Sequence, residues 1–172
     1  MTMDQESRLS SVDDLLLASE RHAAAHIVGG GIETLLGVAI LTCMDARIDP
    51  ASIFGLEPGD AHVLRNAGGR ASPDALRSFA VSNNMGGTRE IVVMHHTDCA
   101  LLAEDEVLRR RISDISGADA SSLDLLSIKD LERSVREDVA RVLGSAFTPD
   151  DVRVWGLIYD VATGRVRQVF PG

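Results

Sequence analysis

Two short runs of the chain carry residue types that could do chemistry together. The first is Cys43, Met44, Asp45, Ala46 and Arg47; the second is His95, His96, Thr97, Asp98 and Cys99. Between them they hold both cysteines of the chain. His96 and Cys99 are close enough in sequence to chelate one ion from a single turn, and Cys43 would complete two thiolates and one imidazole. Zinc binds such ligands at ~2.0–2.3 Å and favours a tetrahedron. No third cysteine is present to close the shell. A Cys2His set with one position left open is the pattern of a catalytic zinc site rather than a structural one. The expectation is one zinc ion per chain. His95 is the competing imidazole. Along a strand its side chain points opposite to that of His96, so His96 is the preferred ligand. His22, His26 and His62 are read as surface or core histidines.

Asp45 follows Cys43 by two residues, and Arg47 follows Asp45 by two. A carboxylate beside an arginine stays ionised, because the opposite charge favours the charged form. Asp45 then has two available roles. It can take the fourth position on the metal and block it. Or it can turn onto Arg47, leave water on the metal and accept that water's hydrogen bond. The plainer alternative is a surface ion pair worth roughly 0–1 kcal/mol. Zinc-bound water can have its pKa lowered to ~7. Two thiolates donate more charge than three imidazoles, so activity is expected to rise toward alkaline pH. A non-catalytic alternative keeps the zinc, or a reversible Cys43–Cys99 disulfide, as a structural or redox-sensing element.

These residues need elements to bring them together. An apolar run over 35–42 precedes Cys43, and another over 91–94 precedes His95; both read as buried strands. Parallel neighbours would deliver both motifs to one sheet edge, where open α/β sheets place ligands. Residues 61–64 read as a short strand leading into a loop over 65–70 with two arginines and two glycines. Arg65 and Arg70 are expected to pair with acids rather than to hold an anion. Ser72, Pro73 and Asp74 form a helix start, and Gly86–Gly87 its end. Residues 100–111 read as a helix with an acidic start and Arg109, Arg110 and Arg111 as its basic end, matching the macrodipole. Residues 129–143 form another helix, with Leu131, Val135, Val139 and Val142 on one stripe. Residues 152–160 and 165–170 read as a closing hairpin, in which Trp155 and Tyr159 pack. The expected fold is α/β: a mostly parallel central sheet flanked by helices, with a C-terminal β-hairpin joining the sheet edge.

The 172 residues suit a single domain. Residues 1–31 form an N-terminal helical arm, with a helix over 10–28 packed either on its own domain or on a partner subunit. Ser10 or Ser11 would cap it, and Gly29, Gly30 and Gly31 would end it. A net charge of −9 argues against nucleic acid and anionic membranes as partners. An aromatic content of 3% removes the stacking platforms of single-strand binders and makes the core aliphatic. No apolar run approaches the ~18 residues that span a bilayer, and the opening residues do not resemble a secretory signal. The expected location is a reducing cytoplasm, where the cysteines stay thiols.

Three motifs in order and at matching separations resemble the β-class carbonic anhydrases. They are the run from Cys43 to Arg47, the run Arg65, Asn66, Ala67, Gly68 and Gly69, and the run from His95 to Cys99. The resemblance is strong over residues 35–99 and looser to the C-terminal hairpin. It implies Cys43, His96 and Cys99 as zinc ligands, and Asp45 and Arg47 as a catalytic dyad in which Asp45 moves on and off the metal. It also implies reversible hydration of carbon dioxide to bicarbonate, a homodimer or dimer-based tetramer, and an apolar cleft at the subunit interface. A hydrolase for carbon disulfide or carbonyl sulfide is the alternative on the same scaffold. One departure is Ala100, where the family usually has glycine. A methyl group interferes there if the position needs positive φ.

Overall fold

In the computed structural model, which describes residues 12–26 and 31–172, the chain falls into two units, Met1–Gly30 and Gly31–Gly172. In the first, helix α1 (Val12–Ala25) places Asp13 and Asp14 in its first turn, where the helix dipole favours negative charge. The proposed caps Ser10 and Ser11, and the glycines Gly29 and Gly30, lie outside the described residues.

The second unit is built on five strands: β1 (Val38–Cys43), β2 (Ala61–Asn66), β3 (Glu90–His96), β4 (Arg153–Asp160) and β5 (Arg165–Phe170). Their order is β2-β1-β3-β4-β5. β1 runs parallel to both neighbours and β3 parallel to β4, while β5 returns antiparallel as the edge hairpin. This is the expected sheet. Four helices flank it: α2 (Pro50–Phe54), α3 (Pro73–Met85), α4 (Asp105–Ser116) and α5 (Leu131–Leu143), with a single 3₁₀ segment at Ala67–Gly69. Among the described residues no helix is long and apolar enough to cross a membrane.

β1 and β3 are central strands buried on both faces, which is why they read as unbroken apolar runs. On β3 the alternation still matters. Ile91 and Val93 pack with Phe79 of α3 and with Val135, Val139 and Val142 of α5. Met94 packs on the other face with Cys43, Ile48, Cys99 and Ile128. The second cluster lies directly beneath the candidate site. Thr42 stands opposite Met94 in the register, and its buried hydroxyl donates to the Met94 carbonyl at 2.9 Å. The ends of the two central strands are thereby tied together just where the motifs begin.

Local signals explain the ends of the elements. Ser72 accepts a hydrogen bond from the Ala75 amide, and Pro73 opens α3. Asp130 caps α5 by accepting from the Arg133 amide. Several expected boundaries move; α5 begins at Leu131 rather than 129, and β3 runs on through His96. β1 begins at Val38, because Leu35 and Leu36 bond instead to the carbonyls of Gly59 and Asp60. β2 continues through Arg65 and Asn66, so these residues are strand, not loop. α4 starts at Asp105 rather than at 100, since the Leu102 and Ala103 amides are engaged by the carbonyls of Cys99 and Leu101 in a tight turn. It runs on to Ser116, where Gly117 takes a left-handed conformation. Arg109, Arg110 and Arg111 therefore sit in mid-helix, and the macrodipole does not account for them.

Candidate metal centre

Cys43 ends β1, His96 ends β3, and Cys99 follows one turn later. Their ligand atoms, two sulfurs and one imidazole nitrogen, all lie within 4.8 Å of one another, and all three residues are buried. Both cysteines are free thiols. The His96 ring shows how the set is poised. Its Nδ1 lies 2.9 Å from the Thr97 carbonyl oxygen. A carbonyl only accepts, so Nδ1 carries the proton and Nε2 presents a lone pair. That Nε2 is fully buried and has no hydrogen-bond partner. An orphaned buried acceptor beside two thiols is costly unless a cation occupies the space. The donor set, its separation and the fixed tautomer all fit zinc.

The two thiols titrate as a pair. The hydrogen bond from Cys99 holds the Cys43 thiol well below its ordinary range, and burial opposes this. Cys99 is pushed up, by the same bond and by burial. The pair thus favours one thiolate.

Asp45 stands beside this set but not within it. Arg47 holds it through both oxygens: Nη2 donates to Oδ2 at 2.7 Å and Nε to Oδ1 at 2.9 Å, and the Arg47 amide adds a third bond to Oδ1 at 2.9 Å. The bonds from Arg47 keep the carboxyl well below the usual carboxylate range. Its side chain is 19% exposed, so it still reaches the cleft. Arg47 is itself anchored. Its Nη1 donates to Asp98 Oδ2 at 2.6 Å and its Nη2 to the Asp98 carbonyl at 2.9 Å. Asp98 adopts φ of 57°, a left-handed conformation uncommon outside glycine. It lies inside the second motif, and only its neighbours, not its partner, were legible there.

Arg65 is a brace rather than an acid partner. Its Nε donates to the Cys43 carbonyl at 3.0 Å and its Nη2 to the Asp45 carbonyl at 2.7 Å, which corrects the expected pairing. Arg70 does pair with an acid, the buried Asp138, at 2.6 Å. His95 points to the opposite face of the sheet from His96, and its Nε2 lies 3.1 Å from Asp138. His62 bonds to Ser82 and the Ile32 carbonyl, while the rings of His22 and His26 lie 5.5 Å apart. Among the described residues, neither His62 nor His95 joins the cysteines.

A cleft of about 390 Å³ opens over the thiols, lined by Met44, Asp45, Ala46, Ala67, Gly68, Ala100 and Leu101 besides the two cysteines. Asp45 is its one charged residue, and the remaining wall is small and apolar. Ala100 lies in it without strain, because the non-glycine residues at positive φ are Asp98 and Leu126 among those described. The methyl group therefore narrows the wall and does not distort the turn.

The carbonic anhydrase family model matches residues 38–166. The chain belongs to the β-carbonic anhydrase family. Within that family it is 38% identical over 135 residues to β-carbonic anhydrase 1 of Mycobacterium tuberculosis, covering 78% of this chain and 82% of the relative. It is 32% identical over 155 residues to a carbon disulfide hydrolase of Acidianus, covering 75% of each. The structure of a Streptococcus mutans carbonic anhydrase superposes with a TM-score of 0.86 at 40% identity, over 95% of this β-carbonic anhydrase chain and 99% of that one.

Proposed function

We propose that the chain catalyses the reversible hydration of carbon dioxide to bicarbonate and a proton, using one zinc ion held by Cys43, His96 and Cys99. The observation that carries this reading is the orphaned, buried Nε2 of His96 facing two free thiols. Zinc in that position supplies a Lewis acid that makes a nucleophile available from water near neutral pH.

The chain's own residues do the rest. The Thr97 carbonyl keeps the proton on His96 Nδ1 and so keeps Nε2 free to bind. Asp45 stays ionised under the hold of Arg47, which leaves an acceptor at the cleft floor to orient a water's O–H. Arg47, anchored by Asp98, holds both oxygens of that acceptor, which would keep it from coordinating an ion bound at the thiols. The mostly small, apolar wall of Ala46, Ala67, Gly68, Ala100 and Leu101 suits a linear, uncharged triatomic substrate. Met44, 67% exposed at the mouth, suits closure by a second copy of the chain, in keeping with the homodimer implied by the family. A cytoplasmic setting fits the free thiols.

A second reading has a specific basis. Relatives of comparable coverage are carbon disulfide hydrolases, and carbon disulfide is isoelectronic in its valence shell with carbon dioxide. The two readings separate in one assay set: proton release on mixing with carbon dioxide, and sulfide release on mixing with carbon disulfide, each with Cys43→Ser as control. The proposal expects a zinc-dependent rate with carbon dioxide that the control lacks. Sulfide release without a carbon dioxide rate assigns the chain to the second reading. Background rates in both assays reject both, and leave the zinc or a Cys43–Cys99 disulfide as a structural or redox element.

A further inference from the structure

Asp138 is a fully buried acid in the apolar stripe of α5, on the face of the sheet away from the thiols. We infer that Asp138 is a positioning residue for the metal centre, tying together from behind the strand end that carries His96 and two segments that pack beside Cys43 and Cys99. The inference rests on the metal-centre reading above.

The first segment is the end of β3. Alternation along the strand gives His96 to the thiols and His95 to α5, where its Nε2–H donates to Asp138 Oδ2 at 3.1 Å. The rotation of the strand end, and with it the aim of His96, is held from the opposite face. The second segment is the 3₁₀ turn. Arg70 follows it directly and is 3% exposed; its Nε donates to Oδ2 at 2.6 Å and its Nη2 to Oδ1 at 3.3 Å. That grip seats Gly69 against the backbone of Cys43. The third segment is the loop before α5. Arg70 Nη1 donates to the carbonyls of Leu126 at 2.5 Å and Ser127 at 2.9 Å. Leu126 has φ of 50°, a conformation a leucine keeps only where its surroundings hold it. Two residues on, Ile128 packs against Cys43 and Cys99, and its amide donates to the Leu101 carbonyl on the cleft wall at 2.8 Å.

One carboxylate therefore reaches, through His95 and Arg70, the strand end that carries His96 and two segments that pack beside Cys43 and Cys99. Arg141 adds a further donor to Oδ1 at 3.2 Å. Burial alone would raise the pKa of Asp138, but the bonds from His95 and Arg70 outweigh it and keep the carboxylate ionised.

The test compares Asp138→Asn with Val139→Ala, its neighbour in the same helix, which is buried but lies in the apolar cluster. Zinc affinity is read by competition with a chromophoric chelator, and ligand geometry by the visible bands of the cobalt-substituted protein, both well below each variant's Tm. The expected result is a roughly 10–100-fold loss of zinc affinity and altered cobalt bands for Asp138→Asn, with neither for Val139→Ala. His95→Phe, which leaves the Arg70–Asp138 pair intact, should shift the cobalt bands as well and covers the case in which Asp138→Asn does not fold. Wild-type zinc affinity and cobalt bands in folded Asp138→Asn, or in His95→Phe, overturn this inference alone. A wild-type protein that binds no zinc overturns the metal-centre reading beneath it.

Discussion

Gly69 lies so close to Cys43 that a Cβ built at position 69 would stand 2.9 Å from the Cys43 amide nitrogen, at a backbone φ of +67°. No side chain fits there, and no L-residue favours that conformation. The glycine lets the turn after β2 close against the end of β1 and so sets where the first thiol points. Gly69→Ala is expected to destabilise the fold by roughly 2–4 kcal/mol from left-handed strain and overlap, and to lower zinc retention. At Gly68, also at positive φ (+77°), the nearest contact is instead the end of the Leu101 side chain at 2.8 Å, which can yield, with Arg70 Cγ next at 3.2 Å. Gly68→Ala should cost less stability and fill cleft space. Calorimetry with metal analysis checks both, and equal effects would contradict the argument.

Arg47 and Asp45 are expected to act as a unit. Asp45→Asn keeps the shape but loses the charge, and hydration should fall by about 10²–10⁴-fold with zinc still bound. Arg47→Ala frees the carboxylate to turn toward the metal, and the same loss should appear with Asp45 intact. The double variant then falls no further than the worse single one. Stopped-flow rates on the three variants decide this; independent, multiplying losses would show that the two residues do not share a task.

Asp138 gives a pH prediction with a definite sign. Its folded pKa lies below its ordinary value, so the unfolded chain binds a proton more readily than the folded one. The stabilisation is then complete above the unfolded value of ~3.9 and is lost as pH falls through the lower folded value. Removing one partner of a buried pair costs about 3–5 kcal/mol. The Tm gap between the wild type and Asp138→Asn should be constant from pH 8 to about pH 5 and close below about pH 4. A gap that widens in acid would reverse the assignment.

Ala100 is expected to be neutral in strain. Since it does not sit at positive φ, Ala100→Gly should bring no gain in stability and, by adding freedom to the unfolded chain, lose up to ~1 kcal/mol. A stabilised variant, seen as a higher Tm, would mean that the methyl group is strained after all.

How far the sequence reads can be argued from single residues. Strands β1 and β3 were legible because both are buried on two faces and leave no polar interruption. Ser72 with Pro73 marked α3 without ambiguity. The start of α4 was not legible, because the turn at 99–103 is made by backbone carbonyls and carries no side-chain signature. Arg65 was misread for a related reason: its partners are the carbonyls of Cys43 and Asp45, which every residue type supplies. Asp138 could have been found. It falls three residues after Val135 on the stripe that faces the core, where an unpaired acid is not tolerated and a buried cation must answer it.

The central claim is that hydration depends on one ion at Cys43, His96 and Cys99, and a zinc titration of the metal-free protein, with the carbon dioxide hydration rate read at each step, tests it most directly. The account predicts a rate that climbs in proportion to occupancy, stops at one ion per chain, and is absent from Cys43→Ser. A full rate before any zinc is added, or saturation with zinc and no rate at all, would contradict it.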